Sequence, residues 1–280
     1  MRFRLTVLTA VALGLFASSC AADDKNRSSA LPPSEQTAKA ALDSSPRHGE
    51  LVDVPLTAGT PLRTWIVYPE RKDKAGVVMI VHEIFGLSDW IRGVADQLAR
   101  EGFIAVAPDL ISGMGPGGGG TESVSSRDSV VQLIRGLSPE ETKRRLDAVR
   151  AWATALPAAN GKIATIGFCW GGGRSFEYAA SEPSPAGAVV YYGTSPDSAT
   201  LVRVKAPVLG LYGGDDARVD ATIEPAKKVL EKTGVDYDPH LFDGAGHGFL
   251  RQQGDREGAN LKASEKAWPL TVAFLRKRLD

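Results

Sequence analysis

The segment Gly167-Phe168-Cys169-Trp170-Gly171 sets a cysteine between two glycines, directly after the apolar run "KIATIGF" and ahead of a helical stretch. A nucleophile raised on a sharp strand-to-helix turn requires this arrangement, because flanking side chains would collide where the chain doubles back. Cysteine suits the post: a few per cent of thiolate at neutral pH is already a strong nucleophile, and an adjacent base supplies more. The bland alternative is a small buried apolar residue without chemistry. A base and an orienting acid follow in chain order, with Asp215-Asp216 after "APVLGLYGG" and His247 in "DGAGHGF" after "VDYDPHLF". His247 would take the thiol proton and later activate water, while one of the two aspartates fixes its tautomer. His48, His82 and His240 compete less well, since His48 falls in a polar N-terminal stretch and His240 inside a strand pattern.

These residues need a scaffold that brings strand ends together. From residue 51 the chain alternates strand-like runs ("LRTWIVYP", "GVVMIVHE", "FIAVAPDL", "KIATIGF", "AGAVVYYG", "APVLGLYGG", "VDYDPHLF") with helical patterns such as "DWIRGVADQLAREG" and "SPEETKRRLDAVRAWATAL". Near-continuous Val/Ile/Leu runs suit strands buried on both faces. The order predicts an α/β protein, a mostly parallel twisted sheet with helices on both faces, and the chain order nucleophile, acid, histidine is the one the α/β-hydrolase fold expects. In that architecture the loop after the strand ending in His82-Glu83 supplies one amide of an oxyanion hole, that of Ile84, and the residue after the nucleophile, Trp170, supplies the other. Pro225 and Pro269 each fall inside a helical pattern, which predicts a later start or a kink. Between Asp109 and Ser138, "ISGMGPGGGGTES" has no apolar period and predicts a long mobile loop. Gly113, Gly115 and Gly118 match G-x-G-x-x-G only formally: Pro116 interrupts them and no helix opens behind, so dinucleotide binding is a poor reading. "HEIFG" lacks a second histidine four residues after His82, so no zinc helix is expected, and neither a metal nor an organic cofactor is implied.

The chain has 280 residues, 43% of them hydrophobic, enough for one α/β domain of about 200–250 residues plus a tail. Thirty-three basic and thirty-three acidic residues cancel, so nothing in the balance points to nucleic acid or an anionic membrane surface. Arg2 and Arg4 precede an apolar run over 5–17 that is too short to span a bilayer, which is a signal-peptide layout. Small residues leading into Cys20 resemble a bacterial lipoprotein cleavage box, with Cys20 the lipidated residue; ordinary signal cleavage nearby is the alternative. The expected organisation is a lipoprotein-type signal peptide over 1–20, a flexible tether over 21–49 and the catalytic domain over 50–280. The expected location is outside the bacterial cytoplasm, periplasmic or anchored to the membrane only through that lipid. Cys169 is then a lone thiol, since pairing with Cys20 in the leader is not expected.

Together and in this order, "HEIFGL", "APDL", "GFCWGGG", "YYG", "GGDDARV" and "GHGFLR" resemble the dienelactone hydrolase family over almost the entire domain. The family consists of α/β-hydrolases with a Cys-Asp-His triad, and its archetype opens a carboxylate-bearing unsaturated lactone. The resemblance implies Cys169, Asp216 and His247 as the triad; Asp216 is favoured over Asp215 because Gly213, Asp216 and Val219 reproduce the acid-loop spacing G-x-x-D-x-x-V. It further implies that Glu83 contacts the resting thiol and helps deprotonate it, that Arg251 holds a substrate carboxylate, and that Tyr192 lies among the substrate-binding residues. One departure stands out: Gly113 occupies the place of a second carboxylate-binding arginine; Arg127 could swing in from beyond the glycines to replace it, but a surface charge is the better reading. The expected activity is hydrolysis of a small ester or lactone through a thioester. The rival is a catalytically silent binding or scaffolding protein on the same fold; a peptidase would need a substrate-binding lid or propeller.

Overall fold

The computed structural model describes residues 30–280; the expected leader, Cys20 included, and residues 21–29 of the expected tether lie outside the described residues. Eight strands form one sheet: β1 (Gly49–Val54), β2 (Leu62–Val67), β3 (Ala75–Val81), β4 (Ile104–Pro108), β5 (Ala159–Phe168), β6 (Ala188–Tyr191), β7 (Val208–Gly213) and β8 (Tyr237–Phe242). The helices are α1 (Ala38–Asp43), α2 (Asp89–Arg100), α3 (Arg127–Arg135), α4 (Pro139–Thr154), α5 (Trp170–Tyr178), α6 (Ser198–Leu201), α7 (Ala217–Asp220), α8 (Ile223–Thr233) and α9 (Ala259–Leu279). Strand order is β1-β2-β4-β3-β5-β6-β7-β8. β3 to β8 are parallel, while β2 runs antiparallel to both β1 and β4.

All seven residues of β3 are buried, as expected of a central strand covered on both faces. Alternate side chains of β5 divide between the two layers. Ala164, Ile166 and Phe168 join the core beneath α2 and α9, and Ile163 joins the core beneath α3 and α4. Because β3 pairs with β4 on one side and β5 on the other, the chain reverses its direction of winding here. The crevice beyond the C-terminal ends of β3 and β5 is therefore where an open α/β sheet places its ligand.

Three expectations are corrected. The tether does not extend to residue 49: from residue 30 the chain is laid against the domain, with Ala38 buried, the Trp90 indole donating to the Pro33 carbonyl (3.0 Å) and the Glu35 amide donating to the Arg251 carbonyl (2.9 Å). β1 was not marked by its sequence pattern, because as an edge strand it is only half-buried. The glycine-rich stretch is not a long mobile loop. Buried Asp109 accepts from the Thr121 amide (2.6 Å), the Thr121 hydroxyl (2.8 Å) and the Ile111 amide (3.2 Å), which folds the glycines back, and α3 follows from Arg127 with its Ser126 cap. Pro225 falls in the first turn of α8, where a missing N–H costs little, and α9 continues through Pro269.

Candidate active site

The turn after β5 holds Cys169 at φ 55°, ψ −118°, a conformation that costs a non-glycine residue about 1–3 kcal/mol and persists only where its surroundings fix it. They do so through hydrogen bonds. The Cys169 amide donates to Tyr191 O (3.0 Å), and its carbonyl accepts from the Gly172 amide (3.0 Å). The glycines are required by close approach. A Cβ on Gly167 would fall into the Gly171 carbonyl, and one on Gly171 into the carbonyls of Val81 and His82 at the end of β3. The start of α5 is thereby seated against the β3 end, which brings the His82-Glu83-Ile84 loop beside the cysteine.

His247 Nε2 lies 3.0 Å from Cys169 Sγ, and its Nδ1 lies 2.5 Å from Asp216 Oδ2. With Nδ1–H donated to the carboxylate, the unprotonated Nε2 faces the sulfur, the tautomer needed to accept a thiol proton. The two neighbouring aspartates are cleanly separated: Asp216 is buried under the histidine, while Asp215 turns outward to Arg256 (2.7 Å). The loop carrying His247 is pinned by the Gly246 amide, which donates to Asn260 Oδ1 (3.0 Å). Neither the Ile84 nor the Trp170 amide is used by another backbone carbonyl among the described residues. The Trp170 N–H instead favours the thiolate of Cys169. His82 is structural: its Nε2 accepts from the Leu110 amide (3.1 Å), so Nδ1–H is the donor to Glu83 O (2.7 Å), and burial lowers its pKa.

Burial pushes the Cys169 thiol up to about 11, with the negative charge of Glu83 as the next cause. Glu83 is itself raised to about 7, first by burial and against the lowering influence of Arg251. The resting thiol is therefore neutral near physiological pH, a state that resists oxidation. Alkylation of Cys169 by iodoacetamide should keep accelerating with pH well into the alkaline range. In Glu83→Gln the profile should move to lower pH, because a negative charge that disfavours the thiolate is gone. A thiol titrating below neutrality in the wild type would contradict this electrostatic picture.

Three site residues depart from the roles their motifs imply. Among the described residues the side-chain hydrogen-bond partner of the thiol is His247, not Glu83; the Glu83 carboxylate is ion-paired with Arg251 (Nε–Oε2 2.7 Å) and acts on the thiol through its charge. Arg251 is not free for a ligand, since its guanidinium is also paired with Glu35. Tyr192 is fully buried and offers no surface to substrate. It sits behind the site at φ 39° with its ring edge-on to His247, centroids 5.2 Å apart, and acts as a support for the imidazole. Its hydroxyl lowers Glu83 slightly, without a well-aligned hydrogen-bond partner among the described residues. Glu35 and Phe85 were missed from the sequence, and for Arg127 the alternative set aside there is the one observed: it turns toward Glu35 and Phe85. The signal available was slight: Ala38, Ala41 and Leu42 give α1 a short apolar face behind Glu35.

A cysteine on a strand-to-helix elbow, with an acid after β7 and a histidine after β8 of a mostly parallel sheet, defines an α/β-hydrolase. A family model, the dienelactone hydrolase family, matches residues 62–279. The chain belongs to that family and is a hydrolase acting on ester or lactone bonds. Among its relatives, a Yersinia pestis protein provisionally assigned as a carboxymethylenebutenolidase is 32% identical over 203 residues, covering 68% of this chain and 75% of that protein. The crystal structure of a provisionally assigned dienelactone hydrolase from Klebsiella pneumoniae superposes with a TM-score of 0.72 at 25% identity, covering 82% of this chain and 98% of that one. A dienelactone hydrolase-like promiscuous phosphotriesterase from metagenomic libraries gives 0.69 at 25% identity, covering 84% and 99%.

Proposed function

We propose that the protein hydrolyses a small carboxylic ester or lactone through a Cys169 thioester. The observation that carries this reading is the 3.0 Å contact between Cys169 Sγ and His247 Nε2 on an imidazole already aligned by Asp216. Cys169 loses its proton to Nε2 as sulfur bonds to the acyl carbon, and the carbonyl oxygen, now negative, is received by the Ile84 and Trp170 amides. Two such donors contribute about 3–4 kcal/mol each when preorganised. Collapse of the tetrahedral adduct breaks the bond to the alkoxy oxygen, which takes the proton from His247 and leaves as an alcohol. In a lactone that alcohol stays attached to the acyl chain. His247 then removes a proton from water, hydroxide adds to the thioester, and the carboxylic acid departs as the thiol is reformed.

The test is turnover of a panel of p-nitrophenyl esters and small lactones, with loss of activity on alkylation of Cys169. Steady hydrolysis that alkylation leaves intact would sink the assignment. The basic start followed by an apolar run over 5–17 supports a second proposal, export with a lipid on Cys20. Palmitate labelling of expressing cells that persists after Cys20→Ser would overturn the anchor.

A further inference from the structure

The surface beside the nucleophile holds an anion clamp that is already filled from within the chain. Arg251, from the histidine loop, and Arg127, at the start of α3, both bind the carboxylate of Glu35, one through each oxygen; the Arg127 contact is 2.5 Å. The two guanidiniums also share the Phe85 ring, their carbons 3.8 Å (Arg127) and 5.1 Å (Arg251) from its centroid. Phe85 follows Ile84, the residue whose amide the proposed mechanism assigns to the oxyanion, so on that reading the clamp adjoins the carbonyl-binding side of the site. Arg251 is near enough to Cys169 to act on its charge. Glu35 is held there by its own backbone N–H, which donates a hydrogen bond to the Arg251 carbonyl (2.9 Å), and by the burial of Ala38 in the helix that follows.

Resting on the ester hydrolase reading, we propose that Glu35 is a specificity-determining residue: its carboxylate occupies the two-arginine clamp, so that the enzyme selects uncharged acyl groups over acyl groups bearing a carboxylate. A planar guanidinium engages a carboxylate through paired donors; here one nitrogen of each, Arg127 Nη2 and Arg251 Nη1, already donates to Glu35, while Arg251 Nε lies 2.7 Å from Glu83 without a well-aligned hydrogen bond. Arg251 is shared between Glu35 and Glu83, and Arg127 points its Nη2 at Glu35. A substrate carboxylate would have to displace Glu35 or approach a site whose two positive charges are balanced by two acidic side chains. With the charge of Glu35 removed, Arg127 and part of Arg251 become available, and the same pocket turns into a receptor for an anion.

The experiment compares kcat/KM for a matched pair, p-nitrophenyl butyrate and p-nitrophenyl hemiglutarate, in the wild type, Glu35→Gln and Glu35→Ala. The wild type should prefer the neutral ester. Both variants should raise the acidic-to-neutral ratio by about tenfold or more, the effect of one charge-assisted hydrogen-bonded pair, mainly through KM for the acidic ester. Adding Arg127→Ala to Glu35→Gln should reverse the gain. Independently of turnover, free glutarate should bind Cys169→Ala/Glu35→Gln in a salt-sensitive, saturable manner and Cys169→Ala far more weakly. A wild type that prefers the acidic ester, or a ratio and a glutarate affinity indifferent to residue 35, would overturn the proposal. A wild type inactive on both esters and on the lactone panel counts against the acyl-transfer reading, and the glutarate titration still decides the role of Glu35.

Discussion

Cys169→Ala should lower kcat/KM for a p-nitrophenyl ester by at least about ten-thousandfold, because what survives removal of a covalent nucleophile is the contribution of the oxyanion donors and of binding. The loss should fall on kcat, since the sulfur contributes bonding to the acyl carbon only as the reaction proceeds. The fold should tolerate the change. The side chain is half-buried in a turn already fixed by the Tyr191 and Gly172 hydrogen bonds, and alanine keeps the Cβ at a strained φ that the surroundings impose. Urea denaturation of the variant checks that activity, not folding, was lost. Near-normal turnover by Cys169→Ala would mean that another group performs the chemistry, and no detectable turnover by the wild type across the panel would favour a silent binding protein.

Asp216→Asn should cost about a thousandfold in kcat, for a reason of tautomers. The carboxylate accepts Nδ1–H at 2.5 Å and leaves Nε2 bare toward the sulfur. An amide can instead donate to Nδ1, which puts the ring proton on Nε2, where it faces the thiol and blocks proton acceptance. The neighbouring substitution is the control. Asp215→Asn loses only an ion pair with Arg256 in which both side chains are about half exposed, and its activity should stay within about threefold of the wild type. Steady-state kinetics of the two variants check the assignment, and equal losses in both would show that the loop as a whole, not the Asp216–His247 contact, had been disturbed.

The parts of the molecule legible in the sequence were those written as long periodic runs. β3 and β7 are near-continuous apolar stretches, and the buried end of β5 is legible in "KIATIGF", although the strand begins earlier, at Ala159, through the exposed Asn160, Gly161 and Lys162; α2 and α4 each announce themselves with a serine cap, Ser88 and Ser138. The cysteine, aspartate and histidine were legible because each stands just past a strand end, flanked by glycines that the turns demand. What escaped notice depends on contacts between distant segments. Asp109 reorganises the glycine stretch through Thr121, twelve residues away, and local composition records none of that. Glu35 lies 216 residues from Arg251, in a stretch whose polar residues and prolines suit a tether until the domain is there to receive them. Arg251 and Glu83 were identified, but the partner each one holds could be read only from their juxtaposition in space.

The central claim is that an acyl group passes through the sulfur of Cys169. The most direct measurement is acid quenching of the enzyme during turnover of p-nitrophenyl acetate, followed by mass analysis of the intact chain and of the peptide containing residue 169. The expected result is one added acetyl group, on that peptide, released by hydroxylamine as thioesters are and absent in Cys169→Ala. Turnover proceeding with the acetyl group on another residue, or with Cys169 unmodified while Asp216 and His247 variants retain full activity, would contradict it.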